Sequence, residues 1–570
     1  MLINEITEKT GLSKKAVRLY EDKGLISVSR SENGYRTYTD ENLEALKKIK
    51  LLRLAGISIS DIRLLFSGVI KTEELISKRE SEIRKEGGDI AQVLSRLRSL
   101  ADGGTLEGAE GELDESFADS SPVEEAIIGI DIGTTTISAV VIDLKTKKAA
   151  ESYTLIYGAE IERAEKDFKE RDASLIIEKA LSLTDHIINS YGKISAIGVT
   201  GQMHGIAYLD KKGDVVSPLY TWQDRRADRP ADSGVSYCDE MNLCLSERVA
   251  AGYGLATHYY NQKNGIVPEN AHTVATIMDI FVMRLTNSTS PLMHTSDAAS
   301  LGLFNTEKKQ FNKEAMERLN VKLPALPEVS ADYKIAGSYK GIPVSVAIGD
   351  NQASFIGSVK DTEKALLVNI GTGSQICATA NGYKADKILE TRPLNGEKYI
   401  LCGSSLYGGA SYSLLEKFFR AAVRESGSET ASCYEMMNSM AERAYRSGVK
   451  PLNVNTCFAG QRHNTAQKGA VTEITPESFT PEAMTLGFIY GMCLELRDMF
   501  GGTKSKEYIV ASGNAAQKIP IMKDVLKDVF GLDVYICDGK EEASLGAALF
   551  AAISAGLISE DGAKDFISYK

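Results

Sequence analysis

Residues Gly129–Asp143 read GIDIGTTTISAVVID. Two short apolar runs, IIGID and ISAVVID, flank Gly133, Thr134, Thr135 and Thr136. This pattern predicts a β-hairpin with a glycine at its tip. Such a tip offers an anion close backbone N–H groups and three hydroxyl donors. Asp131, just before the turn, suits Mg²⁺ or its bound water. No Gly-Lys-Ser/Thr follows, and the continuation reads as strand, so this is not a Walker A loop. Taken alone, the same pattern also fits an ordinary structural turn.

A second stretch of the same form, LLVNIGTGSQI at Leu366–Ile376, carries Gly371, Thr372, Gly373 and Ser374 at its tip, roughly 240 residues further on. Asp350-Asn351-Gln352 lies between the two. Paired phosphate-type hairpins point to two similar halves closing on one nucleotide. On these residues the chain from Glu125 to Lys570 resembles the FGGY family of carbohydrate kinases, within the actin-like ATPase superfamily. The resemblance implies an α/β two-domain actin-like ATPase (ribonuclease H-like) fold. Residues 125–360 would serve sugar, Mg²⁺ and phosphate, and residues 361–570 ATP. It implies that Asp131 and the first tip face Mg²⁺ and the terminal phosphates, and that the second tip faces the phosphates from the other side. Asp350 is then the base. ATP and Mg²⁺ are the expected cofactors. The chemistry agrees: an alcohol is a poor nucleophile near neutral pH, so a carboxylate should take its proton during attack. Gly349 places Asp350 at an apparent strand end, where Asn351 and Gln352 can orient the hydroxyl. A helix N-cap aspartate is the alternative for this Gly-Asp-Asn run.

Between the hairpins, Ile194–Leu209 (ISAIGVTGQMHGIAYL) reads as strand, polar turn, strand, with Gln202, Met203 and His204 at the turn. The match of Gly201–Gly205 to the family implies a sugar contact there. Pro218–Arg226 holds the chain's only tryptophan, Trp222, next to Gln223 and Asp224. An aromatic face beside an acid is a common grip on a polyol, although Asp224 could instead pair with a nearby arginine. Three further stretches, Gly252–Thr257, Pro291–Ser300 and Phe458–His463, resemble the sedoheptulokinase branch of the family. Gly460-Gln461-Arg462 departs from the Gly-Glu-Arg of that branch and loses a charge. Sedoheptulose is therefore the expected acceptor, with another ketose or polyol such as xylulose as the alternative. Tyr508–Ala515 reads as strand, glycine turn, helix, where a nucleotide can approach backbone closely. In the family pattern this turn lies under the adenosine, as Gly408-Gly409 does, which implies Gly408, Gly409, Gly513 and Asn514. Ser512-Gly513 stands where relatives often carry Gly-Gly. The small residues of Ala543–Ala548 suit tight packing against a sheet and receive no chemical role.

The front of the chain is different. Residues 1–66 predict short helices, within a first domain that spans 1–70. Thr10-Gly11-Leu12-Ser13 reads as a turn, with Ser13 capping a helix through Glu21. Helix, glycine turn and helix make a helix-turn-helix whose second helix presents Lys14, Lys15 and Arg18. Arg30, the Asn33-Gly34 turn, Tyr35 and Arg36 predict a wing suited to phosphate contacts. AVRLYEDKGLI, the R-x-x-N-G-Y-R-x-Y run and LRLAGISISDI resemble the DNA-binding domain of MerR-family regulators. That resemblance implies DNA contacts from Lys14, Lys15, Arg18, Arg30, Tyr35 and Arg36. A winged helix kept only for protein binding or dimerisation is the alternative. Residues 71–100 predict a dimerisation helix, with Ile76, Ile83, Ile90 and Leu97 repeating every seven residues and Gly87-Gly88 interrupting. A single amphipathic helix packed on its own domain would look the same. Residues 101–124 lack Lys and Arg and read as an acidic flexible linker.

Composition sets the bounds. At 570 residues the chain holds three or four domains. The eight cysteines, scattered from Cys238 to Cys537, include no C-x-x-C pair, which argues against zinc or a disulfide framework. No run of 18 apolar residues and no signal-peptide pattern occurs, so a cytoplasmic protein without a membrane partner is expected. Residues 1–100 carry 19 Lys and Arg against 15 Asp and Glu, so a front of net +4 precedes a body of −15. That asymmetry points to nucleic acid as a partner of the front only. The expectation is an ATP-dependent ketose kinase, homodimeric, fused to a DNA-binding domain. A catalytically weak sugar-sensing regulator is the competing reading.

Overall fold

Ser13 sets the register of the N-terminal head. Its Oγ accepts the Ala16 N–H at 3.0 Å and starts helix Lys14–Asp22, just after helix Ile3–Thr10 ends on Gly11 in the left-handed region (φ 63°). A computed structural model describes residues 1–30, 33–86, 123–245, 248–428, 430, 432–461, 466–501, 506–539 and 541–570. The heptad positions Ile90 and Leu97, most of the predicted linker, Arg462 and His463 lie outside the described residues. Two compact units emerge: Met1–Ala126 with Thr135–Gly158 and Leu175–Ile194, and Ile127–Thr134 with Ala159–Ser174 and Ser195–Lys570.

In the first unit, helices Asp40–Leu54 and Ile59–Phe66 follow, capped by Thr39 and Ser58. Strands Ser29–Arg30 and Arg36–Thr37 pair antiparallel. The Arg36–Glu21 ion pair (2.6 Å) fastens them to the second helix. Helix Thr72–Glu86 occupies the start of the predicted dimer helix. Its fully buried apolar side chains are Leu75 and Ile83, so this part packs within its own chain. The same unit holds the antiparallel strands Thr136–Asp143 and Lys148–Ile156, paired from Thr136↔Ile156 to Asp143↔Lys148. The register slips between Val141↔Glu151 and Ile142↔Ala149, leaving Ala150 as a bulge. Most of helix Ala173–Ser190 completes the unit.

Two larger sheets shape the second unit, beside several of two or three short strands. In one, strands Ile335–Tyr339, Ile342–Ser345, Ile194–Gly201 and Ala126–Ile132 are neighbours in that order, and Ile348–Gly349 also pairs with Ile194–Gly201. Nearly unbroken burial along Ala126–Ile132 and Ile194–Gly201 marks strands covered on both faces. The other sheet runs Glu390–Asn395, Lys398–Ser405, Ser374–Asn381, Ala365–Ile370, Tyr508–Ser512, Asp533–Ile536. Leu366, Val368 and Ile370 point to one core with Ile489 and Met492, while Ala365 and Leu367 point to another with Phe355 and Val510. The period-two alternation is thus apolar on both sides. Helix Glu542–Ser554 runs through glycine contacts: a Cβ on Gly129 would lie 1.7 Å from Ser544 O, and one on Gly198 would lie 1.8 Å from Ala547 O. No helix among the described residues is long and apolar enough to cross a membrane.

Candidate active site

Three neighbouring strand ends converge. Gly349 is in register with Gly201, and the Gln202 N–H donates to Ile132 O at 2.9 Å. Asp131, Gln202 and Asp350 therefore leave adjacent strands at one edge. Gly201 permits this closeness, because a Cβ there would lie 2.3 Å from Ile132 O. Gln202 Nε2 donates to Gly133 O of the first tip at 3.3 Å, and its buried Oε1 has no partner. Asp350 is the first residue of helix Asp350–Ser358, with Gly349 at the N-cap position. It is thus a first-turn acid, not the cap.

Both carboxyls are costly to ionise here. Burial, then the charges of Asp350 and Glu541, push Asp131 up to about 7. Burial pushes Asp350 up to about 6, against the Asn351 backbone N–H and the Arg392 guanidinium, which hold it down. Asp297 stands behind them, wholly buried, with neither carboxylate oxygen hydrogen-bonded. Burial and the nearby Asp279 and Asp350 charges raise it well above the usual range. The short helix Thr295–Ser300 that carries it is anchored to the site, since the Gly349 N–H donates to Ser296 Oγ at 2.9 Å. Asp297 received no role from sequence; only its tertiary burial distinguishes it from a helix-start aspartate.

The second tip is held by a helix start. Gly409 and Ala410 N–H groups at the start of helix Gly408–Glu425 donate to Gly371 O (2.8 Å) and Thr372 O (3.0 Å). A Cβ on Gly409 would meet Gly371 O at 2.4 Å. Ser374 Oγ is buried without a partner. Asn351 Nδ2 donates to Gln375 Oε1 at 2.9 Å, linking the Asp350 helix to this second hairpin, and Asn351 Oδ1 has no partner. Gly513 (φ 87°) follows strand Tyr508–Ser512 and opens helix Asn514–Lys518. A Cβ there would lie 2.7 Å from Ile370 O, at the strand that leads into the second tip.

Around the first tip, Trp222 is 45% exposed, and its Nε1–H donates to Thr134 Oγ1 at 2.9 Å. His204 lies in the left-handed region (φ 74°), stacked on Tyr253 at 4.5 Å. Its Nδ1 is 2.7 Å from Ser300 O, so Nδ1 donates. Met203 is buried with its thioether against Gly349. One expected sugar contact is corrected. Asp224 is fully buried, and its oxygens accept from the Lys169 backbone and from Arg226 Nε (2.8 Å) and Nη2 (2.9 Å). Arg226 also binds Glu170 (2.7 Å) and Asn261 Oδ1 (2.8 Å), with Phe168 and Tyr220 rings against its guanidinium. Asp224 thus anchors the Trp222 loop through Arg226. Gln352 is buried, with Nε2 donating to Pro393 O at 2.9 Å and Oε1 without a partner.

The residues 126–367 match the N-terminal domain, and 366–555 the C-terminal domain, of the FGGY family of carbohydrate kinases. The chain belongs to that family. Residues 1–69 match the MerR HTH family regulatory protein. The sedoheptulokinase of Mus musculus is 27% identical over 469 residues, covering 74% of this chain and 96% of the relative. A xylulose kinase of Staphylococcus xylosus is 23% identical, over 75% and 90%. The solved xylulose kinase from Rhodospirillum rubrum superposes with a TM-score of 0.68 at 17% identity, over 78% of this chain and 93% of that one. This FGGY kinase therefore has the actin-like ATPase fold. Its chemistry fits a nucleotide with Mg²⁺: two carboxyls that burial makes costly to ionise lie at neighbouring strand ends, and buried polar atoms of Gln202, Asn351 and Ser374 there lack partners. Among the described residues no group of three or more His, Cys, Asp or Glu forms an all-protein metal site. Magnesium commonly takes only one or two carboxylates along with phosphates.

Proposed function

We propose that this carbohydrate kinase transfers the γ-phosphoryl group of ATP to the primary hydroxyl of a ketose, sedoheptulose being the expected acceptor. The observation that carries the reading is the convergence of Asp131, Gln202 and Asp350 at one sheet edge, with Asp350 pushed up to about 6. Such a group is mostly ionised at neutral pH yet basic enough to receive the hydroxyl proton. Asp131 would hold Mg²⁺, which supplies neutralisation of phosphate charge when bound. Gly133, Thr134, Thr135 and Thr136 on one side, and Gly371, Thr372, Gly373 and Ser374 on the other, would position the phosphates. Gly408, Gly409, Gly513 and Asn514 would pass under the adenosine. Gln202, His204, Trp222 and Asn351 would grip the sugar. Residues 1–70 would bind DNA as a winged helix-turn-helix, through Lys14, Lys15, Arg18, Arg30, Tyr35 and Arg36, and regulate transcription as a homodimer. The mouse relative, named sedoheptulokinase, supports the choice of sugar.

ADP release with Mg-ATP over sedoheptulose, xylulose, ribulose, fructose and glycerol tests this. Highest kcat/KM on sedoheptulose is expected. Preference for another polyol would replace the acceptor and keep the reaction. Binding of nucleotide and sugar without turnover would make the chain a sugar sensor instead.

A further inference from the structure

The head is fastened within the first unit, not merely tethered to it. Arg63 Nη1, on helix Ile59–Phe66, lies 2.6 Å from Glu151 Oε2 and donates to the Tyr153 hydroxyl at 3.2 Å. The Tyr191 hydroxyl donates to the same Glu151 oxygen at 2.8 Å. Lys78 Nζ, on helix Thr72–Glu86, reaches Asp61 Oδ1 at 2.6 Å and Thr154 O at 2.8 Å. Lys179 Nζ, on helix Ala173–Ser190, pairs with Glu74 at 2.5 Å. The Arg63, Glu151, Lys78 and Asp61 side chains are only 10–13% exposed. A surface encounter would leave such groups in water, whereas removal of one partner here strands a buried charge.

Two features give this contact a direction. The docking acceptors Glu151, Tyr153 and Thr154 O lie on strand Lys148–Ile156, which pairs Ile156 with Thr136, a residue of the first tip, and Thr154 with Ser138. The Ala150 bulge sits immediately before Glu151, where a bulge re-aims side chains. Meanwhile Lys14, Lys15, Arg18, Arg30 and Tyr35 all remain exposed while the head is docked. The docking face and the reading face are therefore separate, and both can be occupied at once.

We propose that the docked face of helices Ile59–Phe66 and Thr72–Glu86 on strand Lys148–Ile156 is a coupling surface. Occupancy of the phosphate-binding tip and occupancy of the reading face by DNA alter each other's equilibrium through it. The inference rests on the kinase and DNA-binding roles proposed above. Linkage requires that the two effects be reciprocal and equal in magnitude.

Hydrogen exchange of the full chain, with and without Mg²⁺, a non-hydrolysable ATP analogue and sedoheptulose, reads the surface directly. Peptides from 59–86 and 148–156 should change exchange rate together by about fivefold or more. In Arg63→Met/Lys78→Met, the 59–86 peptides should exchange fast with or without ligand, while phosphorylation stays within about twofold of the parent. Affinity for a random-sequence 30-base-pair duplex at low salt should shift with ligands in the parent and not in the variant. Glu151→Gln, which keeps the volume, serves if the double variant does not fold. Calorimetric binding of ligands with no change at 59–86, or an undiminished response in the variants, overturns the proposal alone. Absence of any nucleotide or ketose binding overturns the functional reading beneath it.

Discussion

The proposed role of Asp350 as the base rests on its position, and a single substitution tests it. The residue starts a helix, which favours its charge, yet burial wins and raises it to about 6. Asp350→Asn keeps size and packing while removing the proton acceptor. A fall in kcat of about 10²–10⁴-fold is expected, with Mg-ATP affinity by calorimetry nearly unchanged. Loss of nucleotide binding would instead make Asp350 part of the nucleotide site. For the parent, a base must be deprotonated to act, so kcat/KM should be level above neutrality and drop as pH falls through about 6. Sequence placed Asp131, Gln202 and Asp350 at strand ends because a glycine and an apolar run mark such ends locally. It gave no means of deciding where Asp224 points. That choice is made by Arg226, Glu170 and Asn261, the last two distant in the chain. Gln352 Nε2 likewise finds a partner remote in the chain, Pro393 O of another sheet.

At the scale of elements, helix Glu542–Ser554 packs directly on the helix that Asp350 starts. A Cβ on Gly546 would lie 1.8 Å from Ala353 O, and one on Gly357 would lie 2.1 Å from Glu542 O. The Asp350 helix and this closing helix thus cross backbone to backbone, without side chains to absorb a shift. Gly546→Val must part them, and overpacking of this kind costs about 1–3 kcal/mol. The variant should melt at lower temperature by calorimetry. It should also lose kcat more than ketose affinity, because Asp350 rides on the displaced helix. Unchanged kcat at a lowered melting temperature would confine the helix to a structural part. The small residues of this helix were legible as tight packing against a sheet, which Gly129 and Gly198 supply, but its second partner, the Asp350 helix, was not. Short-period patterns report that a face is apolar, never which face it meets. The same limit applied to helix Thr72–Glu86, where the seven-residue spacing pointed to Ile76 yet Leu75 and Ile83 carry the fully buried positions.

Across the whole molecule, the proposed coupling of the head to the kinase carries a pH dependence, which one histidine would set. His186 lies in the first unit, edge-on to Tyr153 at 5.9 Å, its Nε2 buried without a partner. Burial, then the Arg63 guanidinium, lowers it to about 4, with the Glu151 carboxylate opposing. Asp61, Lys78, Glu74 and Lys179 form the neighbouring ion pairs, and Tyr191 shares Glu151. Freed from this packing, the imidazole returns to its usual value near 6.5. The packed state therefore binds fewer protons than the opened one, and its stability must fall as pH drops below about 6.5, continuing to about 4. Carboxylates elsewhere also titrate toward the lower end of that window, so the readout is a difference. Tryptic cleavage within residues 59–86 should accelerate from pH 7 to pH 5.5 in the parent and much less in His186→Leu, which removes the proton site and keeps an apolar filler. Equal acceleration in both would assign the pH response to other groups. A response confined to the parent would make this neutral histidine the reason the head stays docked at neutral pH and loosens in acid.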